Sequence, residues 1–138
     1  MPETFTTKVA LIVRDDLATW QRLNVAAFLA TGVAASAPEA LGAPYEDAAG
    51  RRYSRMLGQP MLVFSATRVQ LQGAHRIALE RGLDAAVYVG AMFSTGNDEA
   101  NRAAFRAENP EDLDLVGLAI RGDRKLVDKA VKGLALHK

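Results

Sequence analysis

Few residues in this chain are able to do chemistry, and most of those cannot carry a proton at neutral pH. Arg14, Asp15 and Asp16 close an apolar strand. Trp20, Asn24, Ala27 and Thr31 then follow at i, i+4, i+7 and i+11, a spacing that puts them on one helix face. Polar residues on an apolar helix, beside charges at a strand's C-terminal end, are where α/β proteins keep a binding site. Asn24 and Thr31 do not titrate near neutrality, so such a site can bind but is poorly equipped for proton transfer. Ser94, Thr95 and Asp98 form a second polar group, in and just after the loop from Gly90 to Gly96.

Each candidate has a chemical and a structural reading. Asp15 and Asp16 could hold a metal or position a water; equally, one could cap the following helix while the other pairs with Arg14. Ser94 and Thr95 need a base to act as nucleophiles, and the nearest carboxylate is Asp98; helix capping is the simpler role. Trp20 could stack on a ligand ring or simply pack. His75 lies beside the apolar seam of Leu71, Ala74 and Ala78 and reads as a structural histidine, and His137 lies next to the C-terminus. With no cysteine and two distant histidines, a thiolate or zinc site is not expected, and no glycine-rich phosphate loop is present. The expectation is therefore no metal and no cofactor.

The elements that must position these residues alternate. A strand from about Lys8 to Arg14 is apolar without alternation, as expected when both faces are buried. A helix runs from about Leu17 to Ala35, apolar on almost every side, so it should be covered from several directions, a second subunit being one candidate. Gly50 marks a short exposed hairpin between Tyr45 and Tyr53. Met61 to Ser65 is a second strand, followed by a helix capped near Ser65 or Thr67 and closed by Gly82. Ala85 to Val89 is a third strand. A helix from about Asp98 to Glu108 is capped by Asn97 or Thr95, Leu113 to Ile120 is a fourth strand, and Asp123 caps a last helix that Gly133 ends.

Strands alternating with helices define an α/β protein, and 138 residues fit one domain spanning 1–138. The net charge of +1 gives no global attraction to nucleic acid. Acidic residues concentrate between Asp98 and Asp114, basic ones at Arg51 to Arg55 and from Arg121 to Lys138. Each run reads either as a solvated face or, for the basic ones, as a phosphate-contacting surface. The N-terminal residues lack a signal-peptide pattern and no apolar run is long enough to span a bilayer, so a cytoplasmic protein with no membrane association is expected.

Taken together, several landmarks resemble the peptidyl-tRNA hydrolase II family. They are Val13-Arg14-Asp15-Asp16-Leu17, Val25-Ala26-Ala27, Gly58-Gln59-Pro60, Asp128-Lys129, and Leu134 with Leu136. Trp20 to Val25, Thr95 to Arg102 and Arg121 to Lys125 are similar to a bacterial branch known as a domain of unknown function. The resemblance implies a three-layer α/β/α fold around a four-stranded mixed sheet. It also implies that the family's helix lysine, glutamine and histidine are replaced here by Asn24, Phe28 and Thr31. The family's aspartate-alanine-glycine stretch is absent, Gly90-Ala91-Met92 standing in that region, while Arg14 and Asp16 persist.

The reading that follows is a non-hydrolytic binding protein for a small-molecule ligand or RNA, expected to be a homo-oligomer, most simply a dimer. Its pocket would be bounded by Arg14, Asp16, Trp20, Asn24, Thr31, Ser94, Thr95 and Asp98. The alternative is a divergent hydrolase in which Asp16 or Asp98 positions a water and Arg14 stabilises an oxyanion.

Overall fold

The computed structural model describes residues 5–138. Its elements are β1 (Thr7–Arg14), α1 (Thr19–Ser36), β2 (Tyr45–Glu46), β3 (Arg52–Tyr53), β4 (Met61–Ala66), α2 (Arg68–Glu80), β5 (Asp84–Val89), α3 (Asp98–Arg106), β6 (Leu115–Asp123), α4 (Arg124–Ala130) and β7 (Ala135–Leu136). Short 3₁₀ turns at Pro38–Ala40 and Gly90–Ser94 follow α1 and β5.

The centre of the molecule is β1, whose residues Val9 to Val13 are at most 3% exposed. Its non-alternating apolar run has helices to bury against on both faces. On one face Val25, Leu29 and Val33 of α1 pack on Val9, Leu11 and Val13. On the other, Leu71, Ala74 and Ala78 of α2 and Val127 and Ala130 of α4 pack with Ala10 and Ile12. Three layers result. Full burial of each such aliphatic side chain contributes about 1.5–3 kcal/mol.

The sheet has five strands, in the order β5-β6-β1-β4-β7, where four were expected. β1 and β4 are parallel and the other pairs antiparallel, so the sheet is mixed. The extra strand is β7, two residues that pair Phe64 with Leu136 and Ser65 with Ala135 after a turn at Gly133, where φ is +84°. Two residues are too few to show the period-2 alternation by which a strand is read. Pairing with β4, continued by His137 N–H to the Val63 carbonyl at 2.8 Å, makes the strand.

Local signals decide most element ends. Thr67 accepts the Gln70 N–H at 3.2 Å, and Asn97 accepts the Ala100 N–H at 2.8 Å. Asp123 accepts the Lys125 N–H at 3.0 Å. Neither Asp15 nor Asp16 caps α1, because the helix begins at Thr19, after Ala18. The hairpin at Gly50 (φ +83°) forms as expected. Its arginines are engaged close by: Arg51 with Asp47 at 3.5 Å, Arg52 with Glu46 at 3.8 Å, and Arg55 donating to the Gly42 carbonyl at 2.7 Å. Those local partners offset much of the positive charge that the sequence concentrates there.

α1 departs from expectation in one respect. The chain covers one side of it only; Trp20, Leu23 and Phe28 are 59%, 67% and 56% exposed. The sheet is its one extended neighbour, so Leu23 and large parts of Trp20 and Phe28 stay open to solvent. Its seat on the sheet needs Gly117 of β6: a Cβ there would overlap Val25 Cγ1 and come within 3.0 Å of Leu29 Cδ1. Gly117→Ala should destabilise the protein by about 1–3 kcal/mol through overpacking. Urea denaturation measures this, and a change below about 0.5 kcal/mol, the range of a neutral surface substitution, would mean that α1 is not seated as described.

Candidate functional site

A groove opens beside the first half of α1. β1, β4 and β5 run in one direction, and the groove lies at the C-terminal end of β5, the end of α/β sheets at which ligands bind. One compartment, of about 300 Å³, has Trp20, Asn24 and Phe28 of α1 on one side and Asn97, Asp98 and Asn101 on the other. Tyr88, Met92, Phe93 and Thr95 complete it. A second, of about 290 Å³, continues over Ala86 and Val87 of β5 to Arg102 and Phe105 of α3. The two share Phe28, Tyr88, Met92, Asp98 and Asn101, so they are halves of one groove.

One wall is aromatic. Trp20 meets Phe93 edge-on with centroids 5.7 Å apart, Phe93 lies 5.2 Å from Tyr88, and Tyr88 lies 6.1 Å from Phe28. Tyr88 anchors this row from inside the core, and burial pushes its phenol pKa up, so it stays neutral. Trp20 and Phe28 are the open ends of the row.

The opposite wall is polar. Asn97 is occupied in capping α3. Thr95 Oγ1 lies 2.9 Å from the Met92 carbonyl oxygen and also contacts Asn101 Oδ1. Asp98 pairs with Arg102 at 2.7 Å, one turn along α3. Asn24, on the α1 side, is half-buried, and its amide makes no hydrogen bond to the described residues. An amide held in this way has a donor and an acceptor to offer a ligand.

Of the eight residues expected to form the site, Trp20, Asn24, Thr95 and Asp98 line the groove. The other four sit outside its walls. Arg14 donates to Asp16 and Asp114, each at 2.7 Å, and to the Leu115 carbonyl at 3.2 Å, tying the end of β1 to the start of β6. Burial opposes the Arg14 charge, but the hydrogen bonds to Asp114 and Asp16 overcome it and hold its pKa above the ordinary value. Asp16 is thereby committed to Arg14. Thr31 is exposed and its hydroxyl donates to the Phe28 carbonyl at 2.6 Å, and Ser94 is exposed at the end of the 3₁₀ turn.

Residues outside the expected pocket set do much of the lining, Phe28 among them, which the sequence marks only as the replacement of a glutamine in the family it resembles. Phe28 continues the series Trp20, Asn24, Phe28 at four-residue steps, which the groove follows in place of the step to Thr31. Tyr88, Met92, Phe93 and Asn101 carry no comparable signal, because they arrive from three other elements, β5, the 3₁₀ turn and α3. Among the described residues, no three histidine, aspartate or glutamate side chains gather as metal ligands.

The sequence profile of a family described as proteins of unknown function, DUF2000, matches residues 7–138. The chain belongs to the DUF2000 family. A solved structure of a protein of unknown function from Agrobacterium tumefaciens strain C58 is similar at 45% identity and a TM-score of 0.94. The likeness covers 98% of this chain and all of that one, so the frame described above is shared between the two proteins along their length. No curated protein matches the sequence.

His75 lies away from the groove on α2, near Gln72, Arg76, Pro110 and Glu111. Burial first, and the neighbouring Arg76 charge second, hold its imidazole below the ordinary value of 6.5. The unfolded chain therefore binds a proton more readily than the folded one. Its contribution to stability is complete above pH 6.5 and is lost as the pH falls through the lower folded value. An NMR titration should place the His75 pKa below 6.5, and His75→Gln should flatten the pH dependence of the urea midpoint in that window; a folded pKa above 6.5 contradicts this environment.

Proposed function

We propose that this protein binds a small, largely apolar ligand in the groove between α1 and α3 and does not hydrolyse it. The observation that carries the reading is the groove's lining: a row of four aromatic rings faces neutral amides, and the one carboxylate present, Asp98, is held by Arg102. Aromatic walls with a few fixed polar groups orient a ligand, whereas hydrolysis needs a base poised beside the bond to be cut.

The resemblance to peptidyl-tRNA hydrolase II supports the same reading. On that frame, Asn24 and Thr31 replace the family's lysine and histidine, and Thr31 stands outside the groove altogether. The hydrolytic alternative draws on Asp16 or Asp98 with Arg14; Asp16 and Arg14 bond to one another away from the groove lining, and Asp98, which is in the groove, pairs with Arg102 at 2.7 Å.

A neutral apolar dye such as N-phenyl-1-naphthylamine should gain fluorescence on binding and accept energy from Trp20, the single tryptophan. Phe93→Ala should weaken that binding about tenfold, the loss expected when one aromatic stacking partner is removed, without lowering the thermal midpoint by more than a few degrees. Peptidyl-tRNA and model peptidyl esters should remain uncut. Cleavage above a boiled control that disappears on Asp16→Ala or Asp98→Ala would sink the proposal.

A further inference from the structure

The groove's polar groups specify more than apolar affinity. Its first compartment has an aromatic row along one side, with Trp20 59% exposed at its mouth, and such a row takes a flat ring. Charge contributes little to selecting the ligand, because Asp98 and Arg102 pair with one another at the solvent-exposed rim. Among the polar groups inside, the Asn24 carboxamide is half-buried, lines the compartment and has no partner among the described residues, as is true of the Tyr88 hydroxyl. A carboxamide presents an acceptor oxygen beside a donor NH₂ group, a pattern that pairs with two adjacent edge atoms of opposite kind. Asn101 adds a second amide in the same compartment, one end of it engaged by Thr95. The second compartment is lined by Leu29, Ala86, Val87 and Phe105 and suits an apolar substituent on that ring.

We infer that the ligand is a neutral, flat bicyclic or larger aromatic lactam, a ring whose edge carries N–H next to C=O, stacked beside Trp20 and Phe93 and read by Asn24. This rests on the binding reading above and names the chemistry of what is bound. An ionised ligand fits less well, since the groove's two charges pair with one another at its solvent-exposed rim and leave none inside to meet it. A purely hydrocarbon ring fits less well too, since it would leave the Asn24 amide desolvated and without a partner.

Three probes of one shape isolate the edge. 2-Quinolone carries the lactam, N-methyl-2-quinolone blocks its donor, and quinoline lacks the carbonyl. The full chain holds one tryptophan, so a single indole N–H resonance reports on the groove mouth. In the wild-type protein 2-quinolone should shift that resonance with a Kd about tenfold or more below those of the other two, the discrimination expected of a two-point amide pairing. Asn24→Leu, which keeps bulk and removes the amide, should make the three probes equivalent, while Phe93→Ala should weaken all three together. Equal affinity of the wild type for all three overturns the lactam inference and leaves the binding reading standing. A tryptophan resonance unmoved by all three, in a protein that also fails to bind the apolar dye, overturns both.

Discussion

The complete burial of β1 is the constraint from which the rest of this structure follows. Val9, Ala10, Leu11, Ile12 and Val13 project alternately to both faces of the sheet, and each face must be roofed before their apolar surface leaves water. α1 supplies one roof, and α2 with α4 the other. Because α1 follows β1 after four residues, its start is held near the C-terminal end of that strand. Trp20 and Asn24 are thereby delivered to the side of the sheet where β5 ends and the 3₁₀ turn brings Met92 and Phe93. The groove is a by-product of roofing β1 with a helix that is too apolar for one contact face.

That excess apolarity has two consequences. Inward, Gly117 gives up a side chain so that Val25 and Leu29 can approach the sheet. Outward, Trp20 and Phe28 stand partly in solvent, joined through Phe93 and Tyr88 into a row that reaches back to the core. Exposed aromatics of this kind are costly to leave in water unless something covers them, and the groove's shape suits a flat molecule better than bulk solvent. Charges, by contrast, are tied down wherever they fall near the site. Arg14 holds Asp16 and Asp114 together, and Arg102 holds Asp98. Ion pairs of that sort position backbone and helix ends; they leave few groups free to move protons.

Much of the frame was legible before any coordinates. The continuous apolar run at β1, the caps at Thr67, Asn97 and Asp123, and the turn glycines at positions 50, 82 and 133 are local signals, and each acts within a few residues of itself. The fifth strand escaped because Ala135 and Leu136 have no strand character apart from their pairing with β4. Likewise the helical spacing of Trp20, Asn24 and Thr31 pointed to the helix that lines the groove, yet could not say how far along it the groove would extend. Phe28 is in the groove and Thr31 is not, since the facing wall of α3 and the 3₁₀ turn spans only the first part of α1.

The sequence by itself determined that this is an α/β chain without cysteine, built on a doubly buried strand and an unusually apolar helix that carries the neutral amide and hydroxyl of Asn24 and Thr31. Those properties depend on composition and on spacing within single elements, which the chain carries in one dimension. Only the tertiary structure decided that Arg14 also reaches Asp114 beside β6, that Thr31 turns back to its own helix, and that Tyr88, Phe93 and Asn101 converge on Asn24. Convergence of that kind joins residues up to 77 positions apart, from Asn24 to Asn101. It depends on which elements pack together, and the sheet order and the seat of α1 on Gly117 are what settle that.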